Sequence, residues 1–186
     1  MAFEWADIDV IRAILSASTT IPFLLFASAG IWHFGGSHKF GTKIVSVTSI
    51  LGYVSAIYAI FIAGDIYIWS SLGVSLHLLS LFLFGWCVGT SGRKTLGLAL
   101  NDASSGRLIT VGPYALVRHP FYTSYIIFWV GNAIIAVSIF TIIPAVLFIF
   151  LYIFTARRED KALAKLFADE YPSWHRNTGA FFPKWR

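Results

Sequence analysis

The chain has 186 residues, 57% of them hydrophobic and 12% charged, with a mean hydropathy of +0.72. A soluble domain of this length carries far more polar surface, so the composition excludes a water-soluble globular protein and points to a single membrane domain. The net charge of +5 is read as cytoplasmic loops facing anionic headgroups rather than as a nucleic-acid surface, and a lone cysteine, Cys87, excludes an intramolecular disulfide and any multi-cysteine metal site.

In chain order, five apolar stretches are long enough to be read as spanning helices: about 9–34, 43–63, 66–90, 121–138 and 140–157. Pro22 lies inside the first. The second is rich in small residues suited to close helix contact. The third carries His77, an intramembrane ionisable residue with two readings: a functional group, or a neutral side chain bonded to a neighbouring helix. The last two form a tight helical hairpin turning near Ser138–Thr141, with Pro144 expected in the first turn of the returning helix.

The charges orient this arrangement. With five spans and the N-terminus outside, 13 of the 14 Lys and Arg residues fall on the cytoplasmic side, Arg12 being the exception. Glu4, Asp7, Asp9 and Asp65 fall on the other side. The expected architecture is therefore an all-α polytopic membrane protein with a cytoplasmic C-terminus. Residues 1–90 hold three spans, 91–119 form a cytoplasmic connector, 120–157 a hairpin, and 158–186 a cytoplasmic tail.

The connector and the tail hold the polar chemistry. The connector ends in "GPYALVRHPFYTSY". A residue before proline is pushed out of helical geometry, so His119 ends the connector and Pro120 starts a helix. The orphan amides and partial positive charge of that helix start suit an anion, with Arg118 beside it. Two readings stand for Arg118 and His119: an anion-binding corner, or a headgroup anchor and a helix cap. In the tail, Ala162, Leu163, Leu166, Phe167 and Tyr171 have the spacing of an amphipathic helix lying on the membrane or on the protein. Glu159 and Asp160 stand where it leaves the bilayer. They either pair with Arg157, Arg158 or Lys161, or bind a cationic or hydroxyl-bearing ligand. Trp174, Phe181, Phe182 and Trp185 are candidate interfacial anchors. Asn101 and Asp102 make a turn or touch a ligand.

These two segments together resemble the isoprenylcysteine carboxyl methyltransferase family and its phospholipid methyltransferase relatives. The resemblance rests on "LITVGPYALVRHPFY" and, one hairpin later, "REDKALAKLFADEYPSW" with "TGAFFP". The ordered set is Gly112, Pro113, Tyr114, Arg118, His119, Pro120, Tyr122, Glu159, Asp160, Phe167, Glu170, Tyr171, Phe182 and Pro183, and "TLG" at 95–97 resembles an upstream Leu-Gly. Ser124 and Ala168 stand where the family has glycine, and Asp160 where it has Glu. The resemblance implies methyl transfer from S-adenosylmethionine to a lipophilic or lipid-modified acceptor, such as an isoprenylcysteine-like carboxylate. It implies a cofactor site of Gly112, Tyr114, His119, Pro120, Tyr122, Glu159 and Asp160, with no metal. Arg118 and Glu159 are the candidate catalytic residues, Arg118 to orient an acidic acceptor or else to anchor. Two rivals are an NADPH-dependent membrane sterol reductase, which shares an Arg-His-Pro-like motif, and a non-catalytic membrane scaffold or lipid-binding protein.

Overall fold

A computed structural model describes residues 2–32, 40–62, 69–95 and 107–184. The helices are α1 (Ala2–Trp32), α2 (Phe40–Ile62), α3 (Ser70–Thr95), α4 (Pro120–Ile135), α5 (Ile139–Leu166) and α6 (Tyr171–Asn177), with a 3-10 turn at Gly112–Ala115. Among the described residues there is no strand, only an isolated parallel bridge between Val117 and Gly179. Asn101, Asp102, Gly97 and Trp185 lie outside the described residues.

Four helices are long and apolar enough to cross a membrane: α1, α2, α3 and α5. The fifth expected span, 121–138, is represented by α4, which has 16 residues. At 1.5 Å per residue it is about 24 Å long, short of a hydrocarbon core of about 30 Å. It ends at Ile135 because the chain turns through Ala136–Ser138 into α5. There Ser138 and Thr141 form a reciprocal capping box. Pro144 stands not in the first turn of α5 but inside the helix. A proline cannot donate to the carbonyl four residues back, and that carbonyl, Phe140 O, accepts the Ser55 hydroxyl of α2 instead.

α4 is the most enclosed of the long elements, packed between α3 and α5. Small residues let it in. A methyl group on Gly73 of α3 would stand 2.4 Å from Ile135 Cγ1, and one on Gly131 of α4 would stand 2.7 Å from His77 Cδ2. Aromatic contacts fill the rest: Trp129 stacks on Phe148 at 4.4 Å, and Phe26 meets Phe84 at 4.6 Å. Several buried polar groups in this apolar setting bond between helices. Thr19 donates to Asn132 Oδ1 at 3.0 Å, and Ser80 to the Ser124 carbonyl at 2.7 Å. His77 is buried against Phe128, its Nδ1 3.3 Å from the Ser18 hydroxyl. The outward faces carry Leu24, Leu51, Phe82, Phe150 and Phe154, the surface a lipid-facing bundle needs.

The tail departs from a separate helix lying on the membrane. α5 runs without a break through Glu159 and Asp160 to Leu166, its apolar part ending before Arg157. A turn at 167–170 then reverses the chain into α6, which folds over the connector. Trp174, expected as an interfacial anchor, is buried with Leu108 and Tyr171, and its indole N–H donates to Tyr114 O at 2.9 Å. Phe182 is exposed.

Candidate functional site

The site lies where the connector, the start of α4, the end of α5 and the tail meet. Its geometry begins with proline. Pro120 is the first residue of α4, and His119 caps the helix in a non-helical conformation (φ −121°, ψ 59°). That turn sends the backbone of Arg118 and His119 alongside the tail. Arg118 N–H donates to Gly179 O at 2.8 Å and His119 N–H to Ala180 O at 3.0 Å. The His119 amide, expected to meet an anion, is therefore bonded within the protein.

On α5, Tyr152, Ala156, the pair Glu159–Asp160, and Leu163 follow at steps of three or four residues, so they share one face. That face meets the start of α4. Arg118 forms a two-pronged ion pair with Asp160, Nε to Oδ1 and Nη2 to Oδ2, both at 3.3 Å. Its Nη1 donates to Thr178 O at 2.6 Å and to His175 O at 3.4 Å. His119 touches both acids: Nε2 lies 3.0 Å from Asp160 Oδ1, and Nδ1 lies 3.5 Å from Glu159 Oε2. The Tyr122 hydroxyl donates to Glu159 Oε1. The acids thus pair across the fold, not with Arg157, Arg158 or Lys161. Arg158 instead lies over the Phe154 ring.

Arg118 is 8% exposed and His119 5%. A buried guanidinium with a two-pronged carboxylate and two carbonyls is a fixed bracket between α5 and the tail. For Arg118 to orient an acceptor, some of those bonds would have to open. The imidazole ring is flanked by Tyr122 at 5.8 Å and Phe181 at 5.9 Å. Burial pushes the His119 pKa down, but hydrogen bonds and charge from Asp160 and Glu159 outweigh it and the pKa ends up raised. Burial acts to raise the Asp160 pKa, but the bond and charge of His119, with the nearby Tyr171 hydroxyl and the Arg118 guanidinium, prevail and hold it below the usual carboxylate range.

A raised folded-state pKa at His119 adds stability that is fully present below the ordinary value of 6.5 and is lost as pH rises through the raised value. The expected result is a thermal midpoint that falls as pH climbs above 6.5. In His119→Gln that slope should be absent, as followed by thermal unfolding in detergent.

Of the other expected site residues, Gly112 has φ +61°, and a methyl group there would stand 2.6 Å from Thr90 Oγ1. The turn itself requires glycine. Tyr114 follows within the same 3-10 turn and packs between the Phe84–Cys87–Phe121 and Leu108–Tyr171–Trp174 clusters. Ser124, in a glycine position of the family, is fully buried with its hydroxyl on Phe121 O at 2.7 Å. The structure therefore brings together Arg118, His119, Pro120, Tyr122, Glu159 and Asp160. Gly112 and Tyr114 shape the turn that leads to them. Sequence reasoning missed the backbone acceptors at His175, Thr178, Gly179 and Ala180; the last three lie in the "TGAFFP" that closes the motif, and His175 had no signal. An apolar groove of about 440 Å³ between α3, α4 and α5, lined by residues including Trp69 and Val137, lies at the opposite end of α4.

Residues 59–170 match the family described as phospholipid methyltransferase. The chain belongs to that family. The match takes in α3, α4, α5 and the side chains of Arg118, His119, Pro120, Tyr122, Glu159 and Asp160, and stops before α6 and the last segment. Two curated relatives are similar. One is the cobalt-zinc-cadmium resistance protein CzcN of Cupriavidus metallidurans, 34% identical over 62% of this chain and 54% of its own length. The other is the nickel-cobalt-cadmium resistance protein NccN of Alcaligenes xylosoxydans xylosoxydans, 33% identical over 96% of this chain and 75% of its own length. The chain thus spans about half the length of the first and three quarters of the second.

Proposed function

We propose that this protein transfers a methyl group from S-adenosylmethionine to a lipophilic, membrane-partitioned acceptor at the cytoplasmic face. One observation carries the reading. In a chain of a membrane methyltransferase family, Arg118, His119 and Tyr122 converge on Glu159 and Asp160 where the connector and tail meet, on the side to which the charge pattern assigns 13 of the 14 Lys and Arg residues.

The donor set fits the cofactor. S-adenosylmethionine carries an ammonium and ribose hydroxyls that need acceptors, and two adjacent carboxylates, bonded to Arg118, His119 and Tyr122, keep further lone pairs to accept from it. Its sulfonium is a soft cation, and the faces of Tyr122 and Phe181 beside His119 suit one. When bound, it supplies a methyl group already activated for displacement. The protein then has to orient, exclude water and hold charge. Glu159, fixed by Tyr122, accepts from the cofactor's ammonium or hydroxyls, and Asp160, bracketed by Arg118, keeps its carboxylate aimed at the same space. Tyr122, Tyr125 and Tyr152 continue the aromatic wall towards the bilayer, from which an acceptor partitioned in lipid can reach the methyl group. Whether a base is needed follows from the acceptor: a carboxylate or thiolate needs none, a protonated amine does.

The test is incubation of purified protein with methyl-labelled S-adenosylmethionine and a fractionated lipid extract, with the labelled product identified by mass spectrometry. Label in a lipid-soluble product supports the reading; label in none of the fractions defeats it. Because two relatives are named for resistance to cobalt, zinc, nickel and cadmium, the extracts should include cells challenged with those metals.

A further inference from the structure

The acids proposed to receive the cofactor are already occupied by the protein's own cation. His119 spans both of them, with Nε2 on Asp160 and Nδ1 on Glu159. Asp160 has a second cation in Arg118, held by two bonds. Glu159 does not: among the described residues the nitrogen cation within ion-pair distance of it is His119, at 3.5 Å, the longest contact in the cluster. Arg118, His119, Glu159 and Asp160 together form a quartet that is neutral when the imidazole is protonated.

We infer that ligand binding at this acid pair expels a proton from His119. The inference rests on the methyl-donor reading above and adds a property of the site that the reading does not require. An ammonium arriving at Glu159 puts a second positive charge beside the imidazolium and takes the oxygen that Nδ1 holds. Both changes favour the neutral ring. No bond is made or broken other than N–H: the proton leaves a ring nitrogen for solvent buffer, and Glu159 exchanges one cation for another. Nε2 keeps Asp160 as its partner, so the ring stays in place as a neutral donor.

The groups that face the ring, or face its partners, come from several elements. They are Glu159 and Asp160 from α5, Arg118 from the connector, and Tyr122 from the first turn of α4. From α6 come Tyr171, against Asp160, and His175, whose charge interacts with Arg118 and Asp160. From the last segment Lys184 is bonded to His175 O and Arg176 O. Arg118 keeps its charge throughout the neutral range. In the ligand-free cluster the imidazole is the member whose pKa the two acids raise, against the opposing pull of burial.

The experiment is calorimetric titration of S-adenosylhomocysteine into the full-length protein in detergent micelles, in phosphate and in Tris. The two buffers take up protons with different enthalpies. The expected result is a buffer-dependent enthalpy equivalent to release of up to one proton per ligand. Affinity should rise by up to about tenfold per pH unit above pH 6.5, levelling off once the free protein's imidazole is neutral. In His119→Gln, which keeps a bonding side chain without the titration, the buffer dependence should vanish. Tight binding with a buffer-independent enthalpy and a flat pH profile in the unaltered protein overturns the inference and leaves the methyl-donor reading intact. Absence of any binding overturns both.

Discussion

Replacing Asp160 with Ala is expected to cost about 3–5 kcal/mol of stability, the scale for breaking a buried ion pair by removing one partner. The substitution strips Arg118 of both carboxylate bonds while its guanidinium stays buried under the tail, and takes from His119 its closer acidic partner. The loss should be read as a shift in unfolding midpoint in mixed micelles. Asp160→Asn should cost less, because the amide oxygen still accepts one bond, but it leaves the Arg118 charge unbalanced. Glu159→Gln separates site from scaffold. Glu159 bonds to Tyr122 and His119 and not to Arg118. An amide keeps its oxygen for Tyr122, so stability should change by about 1 kcal/mol or less. Methyl transfer should fall by about a hundredfold or more, because the amide no longer balances the cofactor's positive charge. Equal loss of stability in the two variants, or full methyl transfer by Glu159→Gln, would contradict this division of roles.

That division could not be read from the chain alone, although its parts could. The start of α4 was legible because proline constrains both itself and the residue before it, and Pro120 begins the helix as expected. The acids were legible as a motif, but their partners were not. Arg157, Arg158 and Lys161 are adjacent in sequence and gave an obvious local pairing. The alternative lay in the register: Tyr152, Ala156, Glu159–Asp160 and Leu163 recur on the inward face of α5, while Arg157 and Arg158 turn outward. Which element that face meets is a tertiary fact, set by the turn at Ala136–Ser138 and by the tail folding back. The same holds for Trp174. Aromatic residues near a membrane are read as anchors, but an indole whose N–H finds Tyr114 O belongs to a packed lid. The length of α4 was misjudged for a different reason. Apolar residues continue past Ile135 into Ala136 and Val137, and hydropathy does not sense the Ser138–Thr141 capping box that begins the next helix there.

Gly179→Ala is the variant that tests whether the tail is a structural half of the site. A methyl group on Gly179 would stand 1.7 Å from Phe182 O, and a backbone carbonyl cannot rotate away as a side-chain tip can. The cause is space and not dihedral freedom: Gly112 has a positive φ and Gly179 does not. The clash sits on the bridge between Val117 and Gly179, where Gly179 O accepts from Arg118 N–H and Ala180 O from His119 N–H. Overpacking typically costs about 1–3 kcal/mol, and here the upper end is expected because the group struck is a main-chain carbonyl. The chain can relieve it only by moving Phe182 or by opening the bridge. Opening it withdraws Thr178 O from Arg118 and Phe181 from the face of His119. The expected result is a tail that is cut early in limited proteolysis and a marked loss of S-adenosylhomocysteine affinity, with the helical content of the bundle preserved by circular dichroism. Ala180→Gly, which keeps both carbonyls and adds no atom, should bind as the unaltered protein does. If Gly179→Ala bound the ligand with undiminished affinity, the tail would be a cover over the acid pair and not one of its walls.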